Sequence, residues 1–416
     1  MSHEAPTASV PTQPVAASPP ASGSRLPLVV YVLALGTFLM LTTEFVVAGI
    51  LPEISGDLGI SLGQAGSLIT VFAIGMVVGA PLMTLLTMRM SRKLTLVLAL
   101  LVFIVGHVVV ALGTELAVLM VARFVTALAT GAFWAVSAVV ASHAAGPSLG
   151  SRAVGVVGAG GSLATVLGVP IGAFVAQHAG WRGTFWALAV AGALAVVLVV
   201  RLVPADEPHQ GTSSALSELA DLRSGKLWLV LAACVTTTGG VLAAYSFIAP
   251  VLTDQAGVPA ALVPLVLTGF GIGSFVGTLV GGRLGDAHPH LVTIVTPAVT
   301  TLVLLAMALL TGTAWVTVAL VVLLGLFGLS ANSVLIHLAV GFAGRAATLG
   351  SGLSVAAFNA GTAIGTTIAG AALSTPLGLT GPAHVGTVIV ALTLIPAIAL
   401  ALVSRRRPTG RPMPTR

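Results

Sequence analysis

Residues 28–51 read LVVYVLALGTFLMLTTEFVVAGIL, and the only charge among them is Glu44. A helix that crosses the hydrocarbon core of a bilayer needs about 20 consecutive apolar residues, and this stretch supplies them. It shows none of the ten-residue alternation of a membrane barrel strand. Runs of the same kind follow at 65–87, 94–112, 116–141, 152–176 and 184–203, and again at 226–248, 262–282, 291–311, 314–339, 346–371 and 382–403. Twelve such runs predict an all-α membrane protein with twelve transmembrane helices. Composition agrees: 57% of the 416 residues are hydrophobic and 7% are charged, with a mean hydropathy of +1.11. A soluble domain carries about 25% charged residues.

The basic residues set a topology. With the N-terminus inside, inner loops and tails hold Arg25, Arg89, Arg92, Lys93, Arg152, Arg201, Arg223, Lys226, Arg283, Arg345 and the five arginines of the C-terminal tail, fifteen of seventeen in all. Arg182 falls in an outer loop, and Arg123 falls inside a span. The excess of Lys and Arg on one side predicts that both termini are cytoplasmic. The formal charge of +6 therefore lies in loops and forms no groove for nucleic acid; the bilayer is the expected partner.

Residues 1–25, rich in Pro, Ala and Ser, read as a disordered tail rather than a signal peptide. Residues 26–203 form a first six-helix half, 204–225 a polar linker, 226–404 a second half and 405–416 a basic tail. Trp181, Trp228 and Trp315 fall near span ends and read as interface anchors. Cys234 is the single cysteine, which rules out an intrachain disulfide and reads as packing.

The halves look duplicated. Pro52 and Pro250, Gly59 and Gly257, Gly75 and Gly273, and Gly79 and Gly277 are each 198 residues apart. A constant offset between two six-span sets marks a duplicated transporter whose halves are related by an axis along the membrane normal.

An ionisable residue inside a bilayer is costly and is a functional-site hypothesis by default. Glu44 lies seven residues from the outer end of its span and Arg123 seven residues into its own, so both sit roughly 10 Å below the outer surface. The pair reads either as a protonation switch or as a static buried ion pair that fixes packing. Arg123, Ala127, Thr130 and Trp134 share one helix face, which suits a cavity wall or small-residue packing between helices.

Gly168, Pro170 and Gly172 interrupt the fifth span; proline bends a helix and frees a carbonyl, so this is a hinge or a close packing contact. Tyr245, Asn332 and Asn359 are candidates for hydrogen bonding to a solute. His107 and His337 read first as packing. There is no GxxxxGK[ST] loop for ATP, no CxxC or HExxH metal spacing and no catalytic set, which argues against an enzyme.

Taken as a set, Thr43-Glu44-Phe45 through Gly49 with Leu51-Pro52, Gly79-Ala80-Pro81, Gly106-His107, Gly168-Val169-Pro170 with Gly172, Gly180-Trp181-Arg182, and Gly271-Ile272-Gly273-Ser274-Phe275 with Gly282-Arg283-Leu284 and Asp286 resemble the major facilitator superfamily. The likeness covers about residues 26–404 and is nearest to bacterial drug:proton antiporters of the chloramphenicol-resistance and arabinose-efflux-like branch. It departs in two places. Met88 stands where the family's loop between spans two and three usually has Asp, and Val169 separates Gly168 from Pro170.

The resemblance implies two pseudo-symmetric six-helix halves that rock about a midplane site. It implies that helices one, four, seven and ten line a central cavity, so Thr37 and Met40 join Ala127, Thr130, Trp134, Tyr245, Asn332 and Asn359 as cavity candidates. It assigns Glu44 and Arg123 to proton coupling, and Arg92 and Asp286, with the fifth-span motif, to gating. The expectation is a monomeric efflux transporter of the bacterial inner membrane, driven by the proton motive force without a cofactor or metal. Its cargo is a small amphipathic, chloramphenicol-like drug, exchanged for protons; a sugar, purine nucleoside or other metabolite is the alternative.

Overall fold

The computed structural model describes residues 26–87, 90–146, 149–204, 224–344 and 347–405. The expected tail 1–25, most of the linker 204–225, Met88, Arg89, Arg345 and residues 406–416 lie outside the described residues.

In the first half the helices are α1 (Leu28–Gly49), a short α2 (Leu51–Leu58), α3 (Leu62–Thr87), α4 (Arg92–Leu112), α5 (Leu116–Ala145), α6 (Gly150–Leu163) and α7 (Val169–Leu202). In the second half they are α8 (Gly225–Tyr245), α9 (Val263–Ala287), α10 (Pro289–Leu310), α11 (Ala314–Gly328), α12 (Asn332–Phe342), α13 (Ala347–Ala372), α14 (Gly381–Leu392) and α15 (Leu394–Arg405). No strand occurs among the described residues. This follows from the solvent: a bilayer offers backbone groups no partner, so each span satisfies its own as a helix.

Among the described residues, eleven helical stretches are long and apolar enough to cross a membrane, and one of them, Gly150–Leu202, has 53 residues. That stretch is two crossings. Gly180, with φ 72° and ψ 163°, reverses the chain within it, in a conformation that glycine adopts without strain. Twelve crossings result.

Local chemistry fixes the ends. Ser61 and Gln64 exchange bonds at the start of α3, from Ser61 N to Gln64 Oε1 (2.9 Å) and from Gln64 N to Ser61 Oγ (3.2 Å), a reciprocal cap. Ser91 accepts from the Leu94 amide to start α4. Outward faces carry large apolar side chains such as Val105, Val121, Leu265 and Ile395, each more than 60% exposed, as lipid contact requires.

The duplication extends to the packing. A methyl added at Gly75 would lie 2.6 Å from the Ala127 methyl and 2.9 Å from the Phe124 carbonyl oxygen. One added at Gly79 would lie 2.9 Å from Leu128 Cα. In the second half, Gly273 lies against Val322 (2.6 Å to its carbonyl oxygen) and Gly277 against Leu326. Val322 and Leu326 follow Phe124 and Leu128 by the same 198 residues, so both halves press α3 on α5, and α9 on α11, through equivalent glycines. Gly59 and Gly257 likewise share a left-handed backbone, with φ of 62° and 69°.

Among the described residues, several contacts join the halves. Gly63 sits against the Gly370 carbonyl (2.8 Å to an added methyl). Thr70 and Thr366 share a hydroxyl bond of 2.8 Å. Gln177 Nε2 donates to Ala260 O (2.6 Å). Gly271 of α9 lies on the backbone of Thr165 and Val166, in the π turn Ala164–Gly168 that joins α6 to α7.

Candidate functional site, a buried arginine held by three helices

Arg123 is 1% exposed and sits on α5 facing α1, α3 and α4. Its Nη1 donates to the Thr43 carbonyl (2.9 Å) and to Thr43 Oγ1 (2.8 Å). Its guanidinium lies over the Phe72 ring of α3, 4.2 Å from the centroid, a cation–π contact worth about 0.5–2 kcal/mol. Nε and Nη2 are buried without a hydrogen-bond partner among the described residues. An unmet buried donor costs about 1–3 kcal/mol, so the site holds unused capacity for an anion or an acceptor.

Thr43 passes the bond on. Its Oγ1 is 2.7 Å from His107 Nε2 on α4, and His107 Nδ1 is 2.6 Å from the Phe103 carbonyl. A carbonyl only accepts, so Nδ1 carries a proton, and in the neutral ring Nε2 then offers a lone pair. The chain then runs in one direction: Arg123 N–H to the Thr43 hydroxyl, Thr43 O–H to His107, and His107 N–H to Phe103. The imidazole packs on Phe103 (3.9 Å between centroids) and nears Phe185 (5.8 Å).

Glu44, the expected partner of Arg123, is half-buried and feels the charge of Arg123, but no carboxylate lies within 4.0 Å of the guanidinium among the described residues. The stretch of α1 that faces Arg123 is the one that holds Glu44. One step along a helix rotates a side chain by about 100°, and it is Thr43 that turns to Arg123.

Other candidates fall into three groups. Thr37, Met40, Ala127 and Thr130 are each no more than 1% exposed: Thr130 Oγ1 contacts Met40 Sδ (3.5 Å), Ala127 packs with Phe72 and Met76, and Thr37 bonds the Leu33 carbonyl. They form the α1–α3–α5 contact in this conformation, and Trp134 alone of its helix stripe is half-exposed.

The second group keeps unmet hydrogen-bonding atoms. Tyr245 is buried and stacked on Phe270 (4.1 Å), with its hydroxyl unpaired. Asn359 donates to Val355 O (3.1 Å) and leaves Oδ1 unpaired. Asn332 opens α12 just after the helix breaks at residues 329–331, and its Oδ1 is also unpaired. Thr237 and Thr238 of α8 share this state. Sequence reading passed over these threonines, which look like ordinary helix-interior residues.

The third group is the gating set. Gly168 and Gly172 face Thr42 and Val46 of α1 with no room for a methyl, so packing is one function of that motif. The π turn immediately before Pro170 accommodates the ring, which would otherwise clash with the preceding turn. Arg92 begins α4, and Asp286 is exposed near the end of α9.

Trp181 is not an interface anchor. It is 3% exposed, with Nε1 donating to Asp57 (3.2 Å). Arg182 forms an ion pair with Asp57 and also donates to Gly113 O (3.0 Å), clasping α2 and the α4–α5 turn to α7. Trp228 and Trp315 are exposed at 58% and 71%, as interface anchoring requires. Cys234 is buried. His337 is exposed. A cleft of about 640 Å³ between α4 and α5, lined by Val105, Gly106, Val109, Val118, Val121 and Val125 among others, is wholly apolar and opens on the bilayer side. None of the candidate residues lines it.

The sequence profile of the Major Facilitator Superfamily matches residues 33–264. The chain is 35% identical over 375 residues to a chloramphenicol resistance protein of Streptomyces lividans, covering 89% of this chain and 96% of that one. It is 31% identical over 354 residues to the putative transporter AraJ of Escherichia coli, covering 84% and 89%. It is 30% identical over 375 residues to the uncharacterized transporter YtbD of Bacillus subtilis, covering 89% and 94%. Among solved structures, a bacterial homolog of the human lysosomal transporter Spinster superposes with a TM-score of 0.70 at 16% identity, over 91% of this chain and 96% of that one. Fold and relatives are those of transporters rather than enzymes. The chain is a multi-pass membrane protein and belongs to the major facilitator superfamily.

Proposed function

We propose that the chain exports a small amphipathic, chloramphenicol-like compound in exchange for protons, as a monomer in the bacterial inner membrane with both termini cytoplasmic. The observation that carries the reading is Arg123: a buried cation bonded to Thr43, with two unused donors, beside a half-buried carboxylate one residue further along α1. Arg123 then has two alternative partners on one helix. Ionised Glu44 draws the guanidinium toward itself; protonated Glu44 leaves it on Thr43. Protons arriving from outside would set that balance, and the membrane potential adds about 2.3 kcal/mol per charge per 100 mV. The name of the Streptomyces relative supports the cargo.

The contacts Gly63–Gly370, Thr70–Thr366 and Gln177–Ala260 lie away from the chain ends, which supports a state open to the cytoplasm. This is also the conformation named for the Spinster homolog. The unpaired Tyr245, Asn332 and Asn359 atoms favour a cargo with hydrogen-bonding groups. They also keep the second reading in play, export of a sugar, nucleoside or other metabolite.

The test is chloramphenicol accumulation in a pump-deficient bacterium expressing the chain, with and without a protonophore. Low accumulation that rises when the gradient collapses supports the reading. Accumulation equal to the empty vector, with the protein in the membrane, rejects this cargo; labelled sugars and nucleosides then test the alternative.

A further inference from the structure

We propose that His107 is a positioning residue for Arg123 and acts only as a neutral acceptor: through the Thr43 hydroxyl it holds the guanidinium on α1 and away from Glu44, and it carries no proton in the transport cycle. The proposal rests on the antiport reading for its role in the cycle, but its geometry stands independently.

With the imidazole neutral, the bonds allow one arrangement. The Thr43 hydroxyl has a single proton, and Arg123 has no lone pair to receive it. That proton points to His107 Nε2. His107 can accept it there because Nδ1–H is committed to Phe103 O, four residues back on the same helix. A protonated imidazole would aim a second N–H at the oxygen that already receives Arg123. It would also place a cation beside a cation. The charged group facing His107 is Arg123 from α5; α7 contributes the ring of Phe185, and Phe103 stacks from α4 itself.

The repeat gives an independent argument. At the 198-residue offset, Thr43 corresponds to Val241, His107 to Leu305 and Arg123 to Val321, whereas Phe72 corresponds to Phe270. Val241 and Val321 are fully buried in the equivalent helices. The six-helix fold is therefore built in the second half without this network. What the fold does not require, and a bilayer makes costly, is there for function.

The experiment is nitrogen-15 NMR of histidine-labelled protein in lipid nanodiscs, with the His107 signal assigned by its loss in His107→Gln. The expected signal is the neutral Nδ1–H tautomer, unchanged from mildly acid to neutral pH, with Nε2 shifting in Thr43→Val and returning in Thr43→Ser. In transport, His107→Gln, which can accept but cannot titrate, keeps the wild-type pH profile. His107→Leu, the residue of the other half, inserts normally and loses about tenfold in rate at every pH, the equivalent of one hydrogen bond. An imidazolium signal in this pH range, an Nε2–H tautomer, or a pH profile displaced by His107→Gln overturns the proposal. If no drug is moved at all, the antiport reading fails while the tautomer and its response to Thr43→Val still decide the positioning role.

Discussion

Thr43→Val is the most informative single change, because it removes the middle of a directed chain and leaves both ends in place. The side chains are nearly isosteric, so packing is preserved. Two losses follow. Arg123 Nη1 loses its 2.8 Å bond to the hydroxyl and keeps the bond to the Thr43 carbonyl; a hydrogen bond to a charged group is worth about 1.5–3 kcal/mol. His107 Nε2 is left as a buried acceptor without a donor, at about 1–3 kcal/mol. The variant should lose about 4 kcal/mol of stability, within the range of losses that a broken buried network explains. Adding His107→Leu and Arg123→Val, the residues of the second half, removes the stranded groups and the unmet Nε and Nη2 donors with them. Replacing a buried ion by apolar residues is often neutral or stabilising, so the triple variant should recover most of the loss while transport is lost with Arg123. Thermal unfolding of purified protein in one detergent, read beside drug accumulation, checks both parts. A triple variant less stable than Thr43→Val would refute the reasoning, because the network would then be holding the fold together.

Three further outcomes are expected. Glu44→Gln should abolish the pH dependence of drug efflux while leaving the protein in the membrane; normal pumping with the wild-type pH profile would exclude Glu44 from coupling. Asp57→Asn should loosen the clasp on α7. The hydrogen bond from Arg182, with the Trp181 indole N–H and the charge of Arg182 adding to it, holds the Asp57 carboxyl below the usual carboxylate range. Its stabilisation is therefore present above that range and lost as pH falls through the lowered value, so the melting difference between wild type and Asp57→Asn should shrink in acid; a difference that grows there contradicts the sign. Gly63→Val should wedge α3 from α13, since even a methyl lies 2.8 Å from the Gly370 carbonyl, at a cost of about 1–3 kcal/mol for overpacking. A cysteine introduced at Thr70 or Thr366 should then be labelled faster from the far side, and unchanged labelling would place the seam elsewhere.

The crossings and their pairing into halves were legible because the bilayer imposes them: length and apolarity decide a span, and the glycines that press α3 on α5 recur at one offset with their partners. The far-side loop between the fifth and sixth crossings was legible as the gap from 176 to 184, although the chain turns at Gly180 alone. Less legible was everything that depends on rotation about a helix axis. Sequence depth brought Glu44 and Arg123 to one level but could not show that Thr43 faces the guanidinium. Nor could it show that Trp181 turns inward to Asp57, because a tryptophan at a span end looks the same whichever way it points. The break at residues 329–331 carries no proline and gave no warning. The one available signal for the Thr43–His107–Arg123 network was the repeat: reading each polar intramembrane residue against its counterpart in the other half singles out all three.

That comparison also says how the work divides. The first half places the Thr43–His107 chain on one cation, which keeps two unmet donors, and the equivalent positions of the second half are apolar. The second half instead carries unpaired hydrogen-bonding atoms on Thr237, Thr238, Tyr245, Asn332 and Asn359. At the offset, Asn332 corresponds to Trp134 and Tyr245 to Val47, so this set has no polar equivalents in the first half at those positions. On the antiport reading, proton coupling and cargo hydrogen bonding then reside in different halves, and they can influence one another only through the seam. Its contacts include α3 against α13 at Thr70 and Thr366, and α9 against the π turn at Gly271. The second joins a segment packed on α1 through Gly168 to the helix whose Phe270 stacks on Tyr245. A bulky residue at Gly271 should therefore uncouple drug movement from the proton gradient without touching either set. Downhill drug equilibration should persist while gradient-driven extrusion is lost, and loss of both together would mean that the contact is needed only for folding.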